Sequence, residues 1–246
     1  MPGRSTRARP FGRAAEDLEI DFTTDDRPAL VTALLAAGAA PGDGEHWWQS
    51  PVGERTAALL ALLRETEGAE VMAIGVQCAA AGCGARMEIE LPHEVFAAPA
   101  GTRAILRIER DNGDTLSLRR PTGADLRAWR ALRRASREQA VMGILASLTV
   151  TGDPRLDDAE RVATALAEAD PLVGFSLFCA CPTCGDEAEH DIDLEGVALQ
   201  RLAARQRALL YDVHTLAMRY GWTEADIFAV APARRARYLQ LIEGLV

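Results

Sequence analysis

The chain has 246 residues, 48% of them hydrophobic, and a net charge of −9, which is enough for a sizeable core in one or two domains. No stretch reaches the about 20 apolar residues of a membrane span, and the basic start Arg4, Arg7, Arg9, Arg13 runs into Ala14-Ala15-Glu16-Asp17 and not into the apolar segment of a signal peptide. All 27 basic residues are arginine; beside the abundant alanine this reads as a GC-rich coding bias, and the acidic balance excludes bulk nucleic-acid binding.

Residues 1–27 are polar and basic, then acidic at Asp21, Asp25 and Asp26, and read as a flexible arm. A short helix is expected from Arg27 to Ala37, where Leu30, Leu34 and Leu35 recur at helical spacing. The loop Pro41-Gly42-Asp43-Gly44 then leads to Trp47-Trp48 and to a helix over 53–67. A β-like run follows into Val76-Gln77-Cys78-Ala79-Ala80-Ala81-Gly82-Cys83-Gly84, and the alternation Arg86-Met87-Glu88-Ile89-Glu90-Leu91 leaves it. Asn112-Gly113 between the alternating runs 104–108 and 116–119 predicts a β-hairpin. Pro121-Thr122-Gly123-Ala124-Asp125 opens one long helix with Leu126, Trp129, Leu132 and later Met142, Ile144, Leu145 and Leu148 on its apolar side. A helix over 157–169 precedes the second cysteine segment, Phe178-Cys179-Ala180-Cys181-Pro182-Thr183-Cys184-Gly185, which leaves through His190-Asp191-Ile192-Asp193-Leu194. The chain closes with helices over about 195–219, 223–230 and 233–244. Gly221 is placed to cap the first of these, and Thr223 to start the second, with Asp226 three positions on.

The two cysteine segments sit in matching surroundings: a strand enters, a Cys-Gly pair closes the turn, and an acidic/aliphatic alternation leaves. Upstream, each has a helix containing a Glu-Arg pair, Glu54-Arg55 and Glu160-Arg161. This order read twice suggests duplication with an approximate two-fold; convergent Ala/Leu/Arg composition is the other explanation. Such a turn presents two thiolates to one metal, so two turns complete the four ligands of a closed structural zinc site. The expected ligands of one Zn²⁺ are Cys78, Cys83, Cys181 and Cys184. Cys179 is the alternative, because Cys179 to Cys184 repeats the spacing of Cys78 to Cys83. All five cysteines lie in these turns, which fits a metal in a reducing compartment better than a disulfide framework.

Other chemistries are weaker. His190 stands as a substitute ligand, although a lone histidine after a strand reads first as a surface residue, and so does His93. His46 beside Trp47-Trp48 reads as part of a packing cluster. A zinc hydrolase needs an open coordination position and a general base, which four thiolates do not leave, and no phosphate loop, nucleophile elbow or His-Glu-x-x-His is present. No catalysis is expected. The fold expected is α+β and mainly helical, with two internal repeats each carrying a β-hairpin zinc knuckle, plus a C-terminal helical segment. The divisions are an arm at 1–27, a first helix-knuckle repeat at 28–100, a β-hairpin with the second repeat at 101–197, and a helical docking segment at 198–246. In that last segment the helices read either as a hairpin with a solvated arginine face or as a docking surface anchored by Trp222, Arg234, Arg235 and Tyr238. Trp47 and Trp48 are a further candidate contact surface.

Several stretches occur together in a set order. Arg119-Arg120-Pro121-Thr122-Gly123-Ala124-Asp125 precedes a long helix. The Glu-Arg helix precedes a Cys-Pro-x-Cys-Gly turn and Asp-x-Asp-Leu. Asp212-Val213-His214-Thr215-Leu216-Ala217 is followed by Tyr220-Gly221-Trp222-Thr223-Glu224-Ala225-Asp226-Ile227 and Arg234-Arg235. In this order, from about residue 45 onward, the chain resembles the baseplate hub and hub-assembly proteins of T-even-type contractile phage tails and related contractile injection systems. It departs from the compact form in the first turn, which has four intervening residues and no proline. The resemblance implies a structural or assembly role with other baseplate or hub subunits as partners, in the cytoplasm during assembly and then in the baseplate. The rival reading is a zinc-ribbon adaptor or regulator unrelated to tails, and sheath, tube and spike genes beside this one would favour the former.

Overall fold

The computed structural model describes residues 8–39, 43–97 and 104–244. Residues 1–7 of the expected arm and Pro41-Gly42 of the expected loop lie outside the described residues. The chain is 55% helical with small antiparallel sheets and a helical C-terminal segment.

Arg27–Gly38 forms α1, opened by Asp26, whose carboxylate accepts the Ala29 N–H at 3.2 Å. Gly44–Gln49 forms α2, a short helix capped by Asp43 that carries Trp47-Trp48 and was not expected from the sequence. Val52–Glu67 forms α3 and stops at Gly68, whose φ of 66° is left-handed. Val71–Gln77 (β1) and Arg86–Pro92 (β2) pair antiparallel and point Met72, Ile74 and Val76 into the interior. A 3-10 turn, His93–Phe96, returns the chain to α3.

Ile105–Glu109 (β3) and Thr115–Arg119 (β4) form the expected hairpin, with Gly113 at φ 81° in its turn. The long helix expected after Pro121 is broken. Gly123–Trp129 (α4) runs into a 3-10 turn at Arg130–Arg134, and Arg137–Leu148 (α5) restarts behind Ser136. The cause is legible: Ser136 and Gln139 exchange side-chain-to-backbone hydrogen bonds as a capping box. Thr149–Thr151 (β5) then adds an unforeseen third strand to β4, with a bulge at Ser117/Leu118.

Ala159–Ala169 (α6) leads to the antiparallel pair Ser176–Ala180 (β6) and Glu187–Asp191 (β7). Leu194–Tyr220 (α7) is a 27-residue helix, about 40 Å long. It ends at Gly221 in the left-handed region, and the Thr223/Asp226 capping box opens Glu224–Ala229 (α8), as read from sequence. Pro232–Glu243 (α9) closes the fold.

Three apolar clusters hold these elements. The largest joins α1, α3, β1 and the first half of α7, and residues of both cysteine hairpins pack on it, including Phe175, Leu177, Met87 and Ile89. A second lies between the β3–β5 sheet and α5 and α6. The third joins the second half of α7 to α8 and α9.

The helix-then-hairpin order occurs twice, yet the two Glu-Arg pairs sit in different surroundings. Arg55 is fully buried and donates to Thr32 Oγ1, Pro28 O and Trp47 O. Arg161 lies at the surface and pairs with Asp111 at 2.6 Å.

The flexible arm needs correction from residue 8 onward. Phe11 is 3% exposed and meets the edge of Phe22, and Asp17 is fully buried. Asp17 accepts two hydrogen bonds from Arg9 at 2.7 Å, and N–H groups of Gly12, Arg13 and Ala14. Gln206 of α7 donates to the carbonyls of Asp17, Leu18 and Ile20. The arm's apolar residues thus join the core formed by α1, α3 and α7, and the Phe11 N–H donates to Thr66 Oγ1 of α3 at 2.9 Å.

Candidate metal centre

Each cysteine turn is built by its hairpin. At the end of β1 the Cys78 N–H donates to Ala85 O at 2.8 Å, and at the end of β6 the Cys181 N–H donates to Asp186 O at the same distance. The second cysteine of each turn, Cys83 or Cys184, is followed by a glycine at positive φ, 60° at Gly84 and 76° at Gly185. The two turns face one another. Cys78 Sγ lies 3.6 Å from Cys184 Sγ and Cys83 Sγ 3.8 Å from Cys181 Sγ, so each contact joins a first cysteine to the second cysteine of the other turn. All four sulfurs lie within 4.8 Å of one another.

Those distances test the fit to a metal. Zinc–sulfur bonds of about 2.3 Å in a tetrahedron place neighbouring sulfurs about 3.8 Å apart. Among the described residues the donor set is four thiols, the ligand class of closed structural sites. Cys78 and Cys181 are buried, while Cys184 is exposed at the rim.

Hydrogen bonds prepare the sulfurs for charge. Cys181 accepts the backbone N–H groups of Cys184 and Thr183, which bring its thiol down to about 6. The Ala80 N–H pulls Cys78 the same way, but burial and the three neighbouring thiols outweigh it and push that thiol up to about 12. Thiolates packed this closely repel, so without a cation the first ionisation opposes the rest. A divalent ion reverses that sign, and its binding displaces protons from the thiols.

The fifth cysteine, Cys179, lies within β6 opposite Ala188 and packs against the large core, outside the four-sulfur cluster. His190 faces Leu177 across β6 and β7 and is also outside the cluster. His46 is edge-on to Trp47 at 5.0 Å.

His93 departs from its reading as a surface residue: it is 7% exposed and meets Phe96 edge-on at 6.1 Å. Burial, then the Arg64 charge, lowers its pKa below the ordinary histidine value. A histidine held neutral on folding binds fewer protons than in the unfolded chain, so it subtracts stability as pH falls below about 6.5. Melting temperatures of wild type and His93→Gln should therefore diverge between pH 7 and 5, with the wild type falling more steeply.

The expected contact residues divide. Trp47 is 6% exposed and belongs to the large core, so it is removed from the candidate surface. Trp48 is half-buried, with the guanidinium groups of Arg55 and Arg127 over its ring at 5.6 and 5.1 Å. Trp222, Tyr220 and Tyr238 form an aromatic trio with centroids 4.9 to 5.6 Å apart. Arg234 is exposed. Arg235 is the clear correction: it is 6% exposed, lies over the Phe228 ring at 5.1 Å, and burial lowers its pKa. Helical phase decides this, since adjacent residues on α9 face about 100° apart. Arg235→Glu should accordingly lower the melting temperature by several degrees, whereas Arg234→Glu should leave it nearly unchanged.

Sequence reasoning missed two buried ionic sites: Arg110–Asp158, with side chains 8% and 5% exposed, and a second one around Arg120. Arg120, 5% exposed, donates two hydrogen bonds to Asp170, which is 4% exposed, and one to Glu54 at 3.0 Å. It joins the end of β4 to the C-cap of α6 and the start of α3. The backbone reinforces the same junction, with Val52 N–H donating to Pro121 O at 2.9 Å. A single Arg in an Arg-Arg-Pro run carries no signal of such a role.

No protein-family model, curated protein or solved structure matches this chain.

Proposed function

We propose that the chain is a structural component or assembly factor of a contractile tail or injection machine, with its fold clamped by one structural zinc ion on Cys78, Cys83, Cys181 and Cys184. The observation that carries the metal half of this reading is the four-sulfur cluster, with cross-turn distances of 3.6 and 3.8 Å. Four thiolates fill a tetrahedral ion and leave no position for substrate or water, which favours architecture over catalysis. The ion bridges segments about a hundred residues apart, so its binding energy becomes folding energy. The two hairpins are then fixed to each other as well as to the core beneath them.

The contractile-particle half is supported by the ordered resemblance from about residue 45 onward, and the rigid clamped core suits a part that must hold neighbouring subunits at fixed angles. In the source organism, removing the gene should abolish intact contractile particles, and a tagged copy expressed in its place should restore them. Electron microscopy of both preparations reads the result. Normal particles without the gene would overturn the assembly role while leaving the metal site standing.

A further inference from the structure

The 27-residue helix α7 carries two apolar seams. On its inner side Leu202, Gln206, Leu209, Val213 and Leu216 recur at alternating spacings of four and three, and all are buried. Two residues out of phase, Ala204, Ala208, Tyr211, Thr215 and Met218 repeat the same spacing on the opposite side. A surface helix normally needs one apolar stripe, and its outer face is polar. Here, among the described residues, the outer side carries exposed apolar side chains as well: Tyr211 is 68% exposed, Met218 76%, and Leu210 beside them 46%. Spacing of four and three is the heptad seam by which one helix receives another. Ala204 and Ala208 lack bulk, so a partner backbone can approach closely there, while Tyr211 and Met218 are the anchors.

The charges along the seam select the partner. Arg207 and His214 line one side, and Arg205, Asp212 and Arg219 the other. Arg207 and Arg219 make no ion pair among the described residues. Residues 198–246 hold seven arginines against four carboxylates, although the whole chain has a net charge of −9. Three arginines, one histidine and one aspartate flank the seam, a balance that favours an acidic partner over a second copy, and antiparallel pairing centred on Asp212 also sets Arg205 against Arg219 and Asp212 against Asp212. A lipid surface fits poorly as well, because Ala204, Ala208 and Thr215 give the seam little to insert.

We propose that the outer face of α7 between Ala204 and Met218 is a coiled-coil seam for one amphipathic helix of another protein, with Asp or Glu flanking its apolar positions. The seam stands whether or not the chain belongs to a contractile particle, and its test uses the isolated full-length protein. The probes are two labelled synthetic helices of three heptads with leucine at the seam positions, one flanked by glutamate and one by lysine, read by fluorescence anisotropy. The glutamate helix should bind saturably and weaken with added salt, and the lysine helix should not bind. Met218→Asp should raise Kd by about tenfold or more, with unchanged melting because the residue is outside the core. The double variant Arg207→Glu/Arg219→Glu should reverse the preference to the lysine helix. Absent glutamate-helix binding, equal binding of both helices, a self-associated dimer that the glutamate helix cannot displace, or capture by phosphatidylserine vesicles in place of the helix would each overturn the proposal.

Discussion

Replacing Cys181 or Cys83 by serine should leave the purified protein without its metal and lower its melting temperature by about 10 °C or more, or prevent folding outright. Elemental analysis should find one zinc per chain in the wild type and a loss in both variants. Structural zinc sites bind with apparent free energies of about 10–16 kcal/mol, comparable with the about 5–15 kcal/mol that stabilises a whole domain. The effect should be large here because the proposed clamp joins two separate two-stranded sheets, β1–β2 and β6–β7, and such hairpins are marginal alone. Cys179→Ser is the internal control. That thiol lies outside the cluster, so the variant should keep its metal and melt close to wild type. Zinc retained by Cys181→Ser, or lost from Cys179→Ser, would contradict the assignment. The same geometry predicts sensitivity to acid, since protons compete with the ion for four thiolates.

Asp170→Ala should be strongly destabilising, costing about 3–5 kcal/mol. The Arg120–Asp170 pair is nearly sealed from solvent, at 5% and 4% exposure. Removing the aspartate leaves the Arg120 guanidinium buried with only Glu54, whose side chain is 50% exposed, as its ionic partner. Charge-removing variants at a surface pair of similar length, such as Arg64–Glu70 at 2.8 Å and 41% and 76% exposure, should cost well under about 1 kcal/mol. Chemical denaturation of the three proteins measures the contrast. An Asp170→Ala protein as stable as wild type would mean that water reaches Arg120, and the junction between α3, β4 and α6 would then be looser than described.

Together these two tests separate two of the devices that bring distant segments together. One is the four-sulfur cluster between the hairpins, the proposed metal clamp. The other is a buried charge pair where the β3–β5 unit meets α3 and α6. Each variant should leave the other device intact, so their effects on stability should be close to additive, because the sites share no partners.

Much of the local structure was legible in the amino-acid order. Asn112-Gly113 announced its hairpin, Gly221 and Thr223 marked the boundary between α7 and α8, and the two Cys-Gly turns named the four sulfurs that converge. Each of these signals is carried by a few adjacent residues with a strong backbone or ligand preference, so it survives whatever the rest of the chain does. The Ser136 capping box was equally local and was overridden in the reading by apolar periodicity, which continues across the break. What the tertiary structure alone decided depends on partners far away in sequence. Arg55 and Arg161 stand in matching Glu-Arg pairs, yet one is buried among Thr32, Trp47 and Pro28 and the other is solvated. Arg234 and Arg235 are adjacent and identical, and the turn of α9 sends one to water and the other over Phe228. Residues 8–26 read as a polar arm, because their few apolar side chains acquire a core only when α1, α3 and α7 come together around them. Composition and spacing set which segments form and which groups can ligate; burial is a property of pairs of segments, and it determines what each arginine does.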